Sequence, residues 1–276
     1  MRQKAANTIY FIILLLLSAV FVFPVFVIVL NSFKLKFSIA AAPFALPTSG
    51  SFSGFSNYLE GIKNTGFPLA FWWSLFITVF SVAAIIIFTS MTAWYIVRVK
   101  SIFNTVLYYA LVFSMIVPFQ MVMFTMSKTA NVLRLDNPLG IIFIYLGFGA
   151  GLSVFMFSGF IKTVPRSIEE AATIDGCSPF GVFWKIVFPI LKPTTITVAI
   201  LNTMWIWNDY LLPYLVIGKD YKTIPIAVQY LKGGYGSIDM GAMMAMLVLS
   251  IIPVIIFYLF CQKYIIKGVA SGAVKG

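Results

Sequence analysis

Three of the chain's eight carboxylates, Glu169, Glu170 and Asp175, fall within the octapeptide EEAATIDG at 169–176, and a fourth, Asp209, stands alone in an otherwise uncharged stretch. Carboxylates so placed can transfer protons, hold metal ions, bind hydroxyl groups or fix the orientation of a partner. The first two uses lack companions. There is no histidine, the commonest general base and metal ligand. The two cysteines, Cys177 and Cys261, make neither a metal motif nor a disulfide framework. No G-x-x-x-x-G-K-[ST] loop is present to cradle nucleotide phosphates. No catalytic residue, metal site or cofactor bound by this chain is therefore expected, and binding or mechanical contact remains.

The octapeptide belongs to the polar interval VPRSIEEAATIDGCSPFGVFWKIVFPILKP. Ser167 and Glu170 have the spacing of a capping box, which starts a helix of about eight residues, roughly 12 Å long. Gly176 suits the left-handed position past its end, and Ser178 with Pro179 reads as the cap and first turn of a second helix. That helix is expected to stop near Pro189, whose ring and missing amide hydrogen discourage continuation. Ala171 and Ala172 give one helix face little bulk, with Glu169 and Asp175 flanking it, the shape of a knob for a groove in a partner. An amphipathic helix on the membrane surface, with Ile168, Ile174, Phe180, Phe183 and Trp184 as its oily side, fits the same residues.

Asp209 recurs at helical spacing with Asn202, Trp205 and Asn208, approximately on one face. Amides, a carboxylate and a flat ring suit sugar hydroxyls and the apolar faces of a pyranose. These residues are the candidate substrate pathway. Contacts to a partner or a neighbouring loop would also account for Asn208 and Asp209.

The elements that position these groups are transmembrane helices. The chain is 61% hydrophobic and 10% charged, with a mean hydropathy of +1.00, far too apolar for one soluble core. Long runs without charge predict six spans in the lipid bilayer, near 9–30, 69–97, 102–124, 138–160, 194–217 and 241–265. The alternating ten-residue segments of a β-barrel are absent. The first run is read as a retained span rather than a signal peptide, because its apolar core is too long and Lys34, Lys36 and Pro43 surround the Ala40–Ala42 triplet. Pro118 and Pro253 are expected to kink their spans. The small residues of LGFGAG at 146–151 permit close helix contact.

An even number of spans puts both termini on one side. Placing them in the cytoplasm puts eleven of the nineteen basic residues on shorter inside segments, among them Arg98, Lys100, Lys162 and Arg166. The loop at 161–193 is then cytoplasmic. The net charge of +11 is scattered at span ends rather than clustered with aromatics, so nucleic acid is not an expected partner.

The pattern E-A-A, three residues, Gly, nine residues, I-x-L-P resembles the signature loop of permease subunits of ATP-driven (ABC) importers. Here it reads Glu170, Ala171, Ala172, Gly176, Ile186 and Pro189, with Phe188 in place of the leucine. WIWNDYLLP at 205–213 and the tail KGVASGAVKG at 267–276 are similar to carbohydrate permeases of the maltose and oligosaccharide type. The resemblance covers roughly residues 70–276. It implies an all-α type I importer permease fold: an N-terminal span and external segment at 1–68, a permease domain at 69–265, and a cytoplasmic tail at 266–276. It also implies a second permease subunit (a heterodimer), two ATPase subunits that bind ATP and Mg, and an extracytoplasmic sugar-binding protein. The segment 31–68 is a candidate contact for that binding protein, and the tail for the ATPase. The loop would couple this chain to the ATPase through Glu169, Glu170, Ala171, Ala172, Asp175, Gly176, Ile186 and Pro189.

Two other classes frame this reading. A secondary transporter would show inverted repeats or several buried ion-coupling carboxylates, and only Asp209 is of that kind. For the third class, a membrane scaffold or intramembrane enzyme, the chain offers no recognisable catalytic set.

Overall fold

The computed structural model of the chain describes residues 2–218, 220–232 and 239–273. Lys275 of the tail lies outside them. The order is α1 (Arg2–Ser32), α2 (Lys36–Ala41), α3 (Ser56–Thr65), α4 (Phe67–Arg98), α5 (Ile102–Ser114), α6 (Phe119–Val132), α7 (Pro138–Ile161), α8 (Arg166–Ile174), α9 (Pro179–Val182), a π-helical turn (Phe183–Val187), α10 (Phe188–Ile190), α11 (Lys192–Asn208), α12 (Leu211–Val216), α13 (Ile224–Gln229) and α14 (Met240–Ala273). Among the described residues strand pairing amounts to one isolated bridge, between Lys34 and Phe52.

Among the described residues, four helices are long and apolar enough to cross a bilayer: Asn7–Ser32, Phe67–Arg98, Pro138–Ile161 and Met240–Tyr264. They coincide with the expected first, second, fourth and sixth spans. Two bent pairs, α5 with α6 (107°) and the Pro179–Ile190 stretch with α11 (76°), bring the number to six if each is one span. The expected third span, 102–124, is not one helix. α5 stops at Ser114, the chain extends at Pro118 (φ −63°, ψ 135°), and α6 departs at 107°. Proline here ends the helix instead of bending it, because it cannot donate and its ring excludes helical backbone before it. The expected fifth span, 194–217, is also divided. α11 ends at Asn208, Asp209 is extended (φ −73°, ψ 124°), and α12 restarts at Leu211. Pro24 and Pro253, by contrast, lie within continuous helices.

The chain divides into two compact units, Met1–Leu69 with Ala227–Ile255, and Ala70–Ile226 with Ile256–Gly276. In the first, Lys34 is buried, and its Nζ donates to the carbonyls of Ala42 (3.0 Å) and Pro43 (3.4 Å). Burial pushes its ammonium below the usual lysine range. Asn57 Nδ2 donates to the Ser32 and Lys34 carbonyls at 2.8 Å each. These bonds pin the segment after α1 to α3. Gly61 lets α3 meet α14 closely, since a Cβ there would stand 2.7 Å from Met246 Cε.

The second unit holds the main core, which includes Ile77, Ile85, Ile141, Tyr145, Phe157, Ile161, Val198 and Leu212. The small residues of α7 bring its neighbours near. A Cβ on Gly149 would lie 2.6 Å from Ile85 Cδ1 of α4, and one on Gly151 2.5 Å from the Leu111 carbonyl of α5. Gly147 faces open space.

Candidate functional site: the helix-glycine-helix loop and the Asp209 break

The loop forms the expected bend, but by other bonds at its start. α8 begins at Arg166 after Pro165, and no side chain caps it. The Ser167–Glu170 capping box is therefore not made. Pro165 holds the extended entry (φ −59°, ψ 134°), so the helix starts one residue before Ser167 and carries that serine into its first turn. At the other end, the Gly176 amide donates to Thr173 and the Cys177 amide to Ala172, both at 3.0 Å. This is the paired closure that needs a left-handed residue, and Gly176 supplies it at φ +85°. Ser178 then accepts from the Gly181 amide at 3.2 Å, and Pro179 opens α9. The second helix ends within one residue of the expected Pro189: helical backbone runs to Ile190, through a π turn over Phe183–Val187, and the chain bends by 76° before α11. The wider turn shifts the hydrogen-bond ladder where the proline donor is missing.

The bend has an inner and an outer side. Ala172, Val182, Phe183 and Val187 are buried. Glu170, Ala171, Asp175, Gly176 and Pro189 are exposed, as are Ile174 and Phe180, while Ile186 is half-buried. The alanine pair does not share a face: adjacent helical residues point about 100° apart, so Ala171 looks outward and Ala172 packs inward. The oily side proposed for a membrane-surface helix is likewise divided, because Phe183 is fully buried in the core.

Glu169 is turned inward too. Arg98, the last residue of α4, donates to its Oε1 from Nε (2.9 Å) and Nη2 (2.6 Å). Trp94, one turn earlier, donates from Nε1 to Oε2 at 3.0 Å. Arg98 Nη2 also donates to the Val164 carbonyl at 3.0 Å, and Arg166 Nη2 donates back to the Arg98 carbonyl. The Trp94 ring meets Phe183 at 5.5 Å. The end of a membrane-spanning helix thus holds both arms of the bend. Charge-assisted bonds of this kind are short and directional, which makes the joint stiff. Glu169 was expected beside the partner-facing surface; it is instead an internal tie. Sequence reasoning missed Arg98 and Trp94 as its partners. The available signal was a Trp and an Arg four residues apart where an apolar run ends.

The second group separates. Asp209 Oδ1 accepts from the amides of Leu211 (3.0 Å) and Leu212 (3.4 Å), and Oδ2 accepts from the buried Tyr145 hydroxyl at 3.1 Å. The carboxylate thus satisfies the first amides of α12 at the break in the span. Trp205 packs edge-on against Tyr145 with centroids 5.4 Å apart and stays 40% exposed. Asn208 is exposed, and its Nδ2 donates to the Met204 carbonyl. Asn202 departs from the set. It is buried, and its Nδ2 donates to Val198 O (2.9 Å) and Ser153 Oγ (3.3 Å), which joins α11 to α7. Tyr145, the partner of Asp209, comes from α7 and was not foreseen. Among the described residues no group of three or more acids or cysteines could hold a metal ion.

The site is thus a stiff helix-glycine-helix bend tied to the end of one long apolar helix, with a broken helix at Asp209. Residues 85–271 match the family of binding-protein-dependent transport system inner membrane components, and the chain belongs to that family. It is 40% identical to the probable starch degradation products transport system permease protein AmyC of Thermoanaerobacterium thermosulfurigenes, over 95% of this chain and 94% of the relative. It is 35% identical to the multiple sugar-binding transport system permease protein MsmG of Streptococcus mutans, over 99% of both. Among solved structures, it matches a chain of a bacterial ABC transporter involved in the import of the acidic polysaccharide alginate, with a TM-score of 0.78, 25% identity, and 96% of this chain and 98% of that one covered.

Proposed function

We propose that this permease moves a sugar or oligosaccharide into the cell, driven by ATP that a separate subunit hydrolyses. The observation that carries the reading is the exposed bend Glu170–Gly176 held to α4 by Arg98 and Glu169. A docked partner that displaces the bend moves α4 with it. Glu170, Ala171, Asp175 and Gly176 make the partner-facing surface, and Ala172, Ile186 and Pro189 shape it from beneath or behind. The partner is an ATPase pair that carries ATP and Mg; a second permease subunit completes the pathway, and an external sugar-binding protein delivers substrate. Trp205, Asn208 and Asp209 are the pathway residues supported by partial exposure. The sugar class is supported by the relatives, whose names specify starch degradation products, multiple sugars, and melibiose, raffinose and stachyose.

Both termini and the bend are cytoplasmic in this reading, and Cys177 beside Gly176 is half-exposed. The test has two arms. Uptake of labelled maltodextrin by the assembled transporter is expected to require ATP and to survive collapse of proton and sodium gradients. With Cys261 replaced by serine, a membrane-impermeant maleimide is expected to label Cys177 in inverted vesicles and not from outside intact cells. Labelling from outside would overturn the coupling scheme.

A further inference from the structure

A cavity of about 700 Å³ lies between the end of α4, the start of α5 and the end of α7. Lys100 and Lys162, both exposed, stand at its rim, and Lys162 Nζ is 5.6 Å above the Tyr108 ring centroid. The α5 N-terminus adds the positive end of its dipole, with Ser101 as its cap. The lining is otherwise mostly apolar.

Two further observations concern its floor. Ser158 is 1% exposed, and its Oγ has no hydrogen-bond partner. Asn104 is 2% exposed; its Nδ2 donates to the Val99 carbonyl at 2.7 Å, while Oδ1 has no partner. Both residues line the cavity. A buried polar atom left unpaired is destabilising, so two in one cavity call for a ligand that answers both. Ser158 can donate to an anion. Asn104 Oδ1 can only accept, and so requires a donor.

We propose that this cavity binds an anionic phospholipid whose headgroup carries hydroxyls, of the phosphatidylglycerol class. Its phosphodiester accepts from Lys100, Lys162 and the Ser158 hydroxyl, and a glycerol hydroxyl donates to Asn104 Oδ1. Exposed Ile102 and Val106 on the outer side of α5 offer apolar surface to the acyl chains. Neutral headgroups lack the charge that two lysines and a helix N-terminus select. The site flanks Arg98, the α4 residue tied to the bend, so an occupied cavity would brace the helix that the coupling reading sets in motion. The placement in the cytoplasmic leaflet rests on that reading.

The assembled transporter, in nanodiscs of dioleoylphosphatidylglycerol or of dioleoylphosphatidylcholine, is extracted and its retained lipid counted by native mass spectrometry. The wild type is expected to keep phosphatidylglycerol and not phosphatidylcholine. K100Q with K162Q is expected to weaken retention roughly 30-fold, the order for two lysines at an anionic headgroup, and S158A a few-fold. Both lysines are exposed, so the pair leaves the helix packing intact. Equal retention by wild type and the double variant would overturn the proposal. So would displacement of the lipid by millimolar inorganic phosphate, which would make free phosphate the ligand. A photoactivatable phosphatidylglycerol that fails to crosslink α5, while the second permease subunit does, would also overturn it. S101C reports the coupling reading separately: impermeant maleimide reaching it from outside intact cells would reverse the orientation, whatever lipid is retained.

Discussion

Arg98 meets one oxygen of Glu169 with two guanidinium nitrogens, at 2.9 and 2.6 Å, while Trp94 holds the other oxygen. Both side chains are nearly nine-tenths buried, so either partner left alone would be a desolvated charge. Glu169→Gln or Arg98→Met is expected to destabilise the permease by about 3 kcal/mol, near the lower end for breaking a buried pair. ATP-driven uptake is expected to fall at least tenfold. A double-mutant cycle with thermal unfolding as its readout checks this: additive losses would show that the two groups act independently.

Gly176 provides a separable test of backbone and surface. Its φ is +85°, yet a Cβ there would meet no atom within 4 Å, so substitution costs conformational strain rather than a clash. Gly176→Asn, a residue that tolerates the left-handed region, is expected to keep most uptake. Gly176→Val is expected to lose it, because a β-branched residue there adds about 1–2 kcal/mol of strain. Gly176→Asp is expected to leave the chain in the membrane and uncouple it, since the new charge projects from the open apex. Normal uptake by Gly176→Asp would sink the coupling assignment.

At the Asp209 break, the carboxylate holds the Leu211 and Leu212 amides. Asp209→Asn preserves an acceptor and is expected to leave α12 protected. Asp209→Ala removes the cap and should cost about 1 kcal/mol. Hydrogen exchange at Leu211 and Leu212 reads this directly; unchanged protection in Asp209→Ala would refute the capping role.

The α7 glycines differ in what surrounds them. Gly151→Ala would put Cβ 2.5 Å from the Leu111 carbonyl, whereas nothing lies within 4 Å of one on Gly147. Gly151→Ala is expected to destabilise by about 1–3 kcal/mol through overpacking. Gly147→Ala should be neutral or slightly stabilising, because it replaces glycine in a helix. Equal melting temperatures for the two variants would contradict the packing of α5 on α7.

Periodicity and charge located the six apolar intervals, and the glycine corner with the Ser178–Pro179 start followed from local bonds. Those features depend on residues a few positions apart, where bilayer thickness, left-handed backbone and proline geometry act without reference to the rest of the chain. At Pro118 the sequence predicts a kink and the structure has a 107° turn, since a proline alone does not reveal whether neighbours will support a continuing helix.

Side-chain destinations required the folded chain. Glu169 and Glu170 are adjacent and chemically alike, yet one is exposed while the other is bound to Arg98, 71 positions away. Asp209 and Tyr145 meet across 64 positions, and Asn202 and Ser153 across 49. Sequence by itself determined that this is a helical membrane protein with a bent polar projection. Tertiary structure alone decided which acids tie helices together and which face outward, because a buried carboxylate must take its donors from whichever elements packing places beside it.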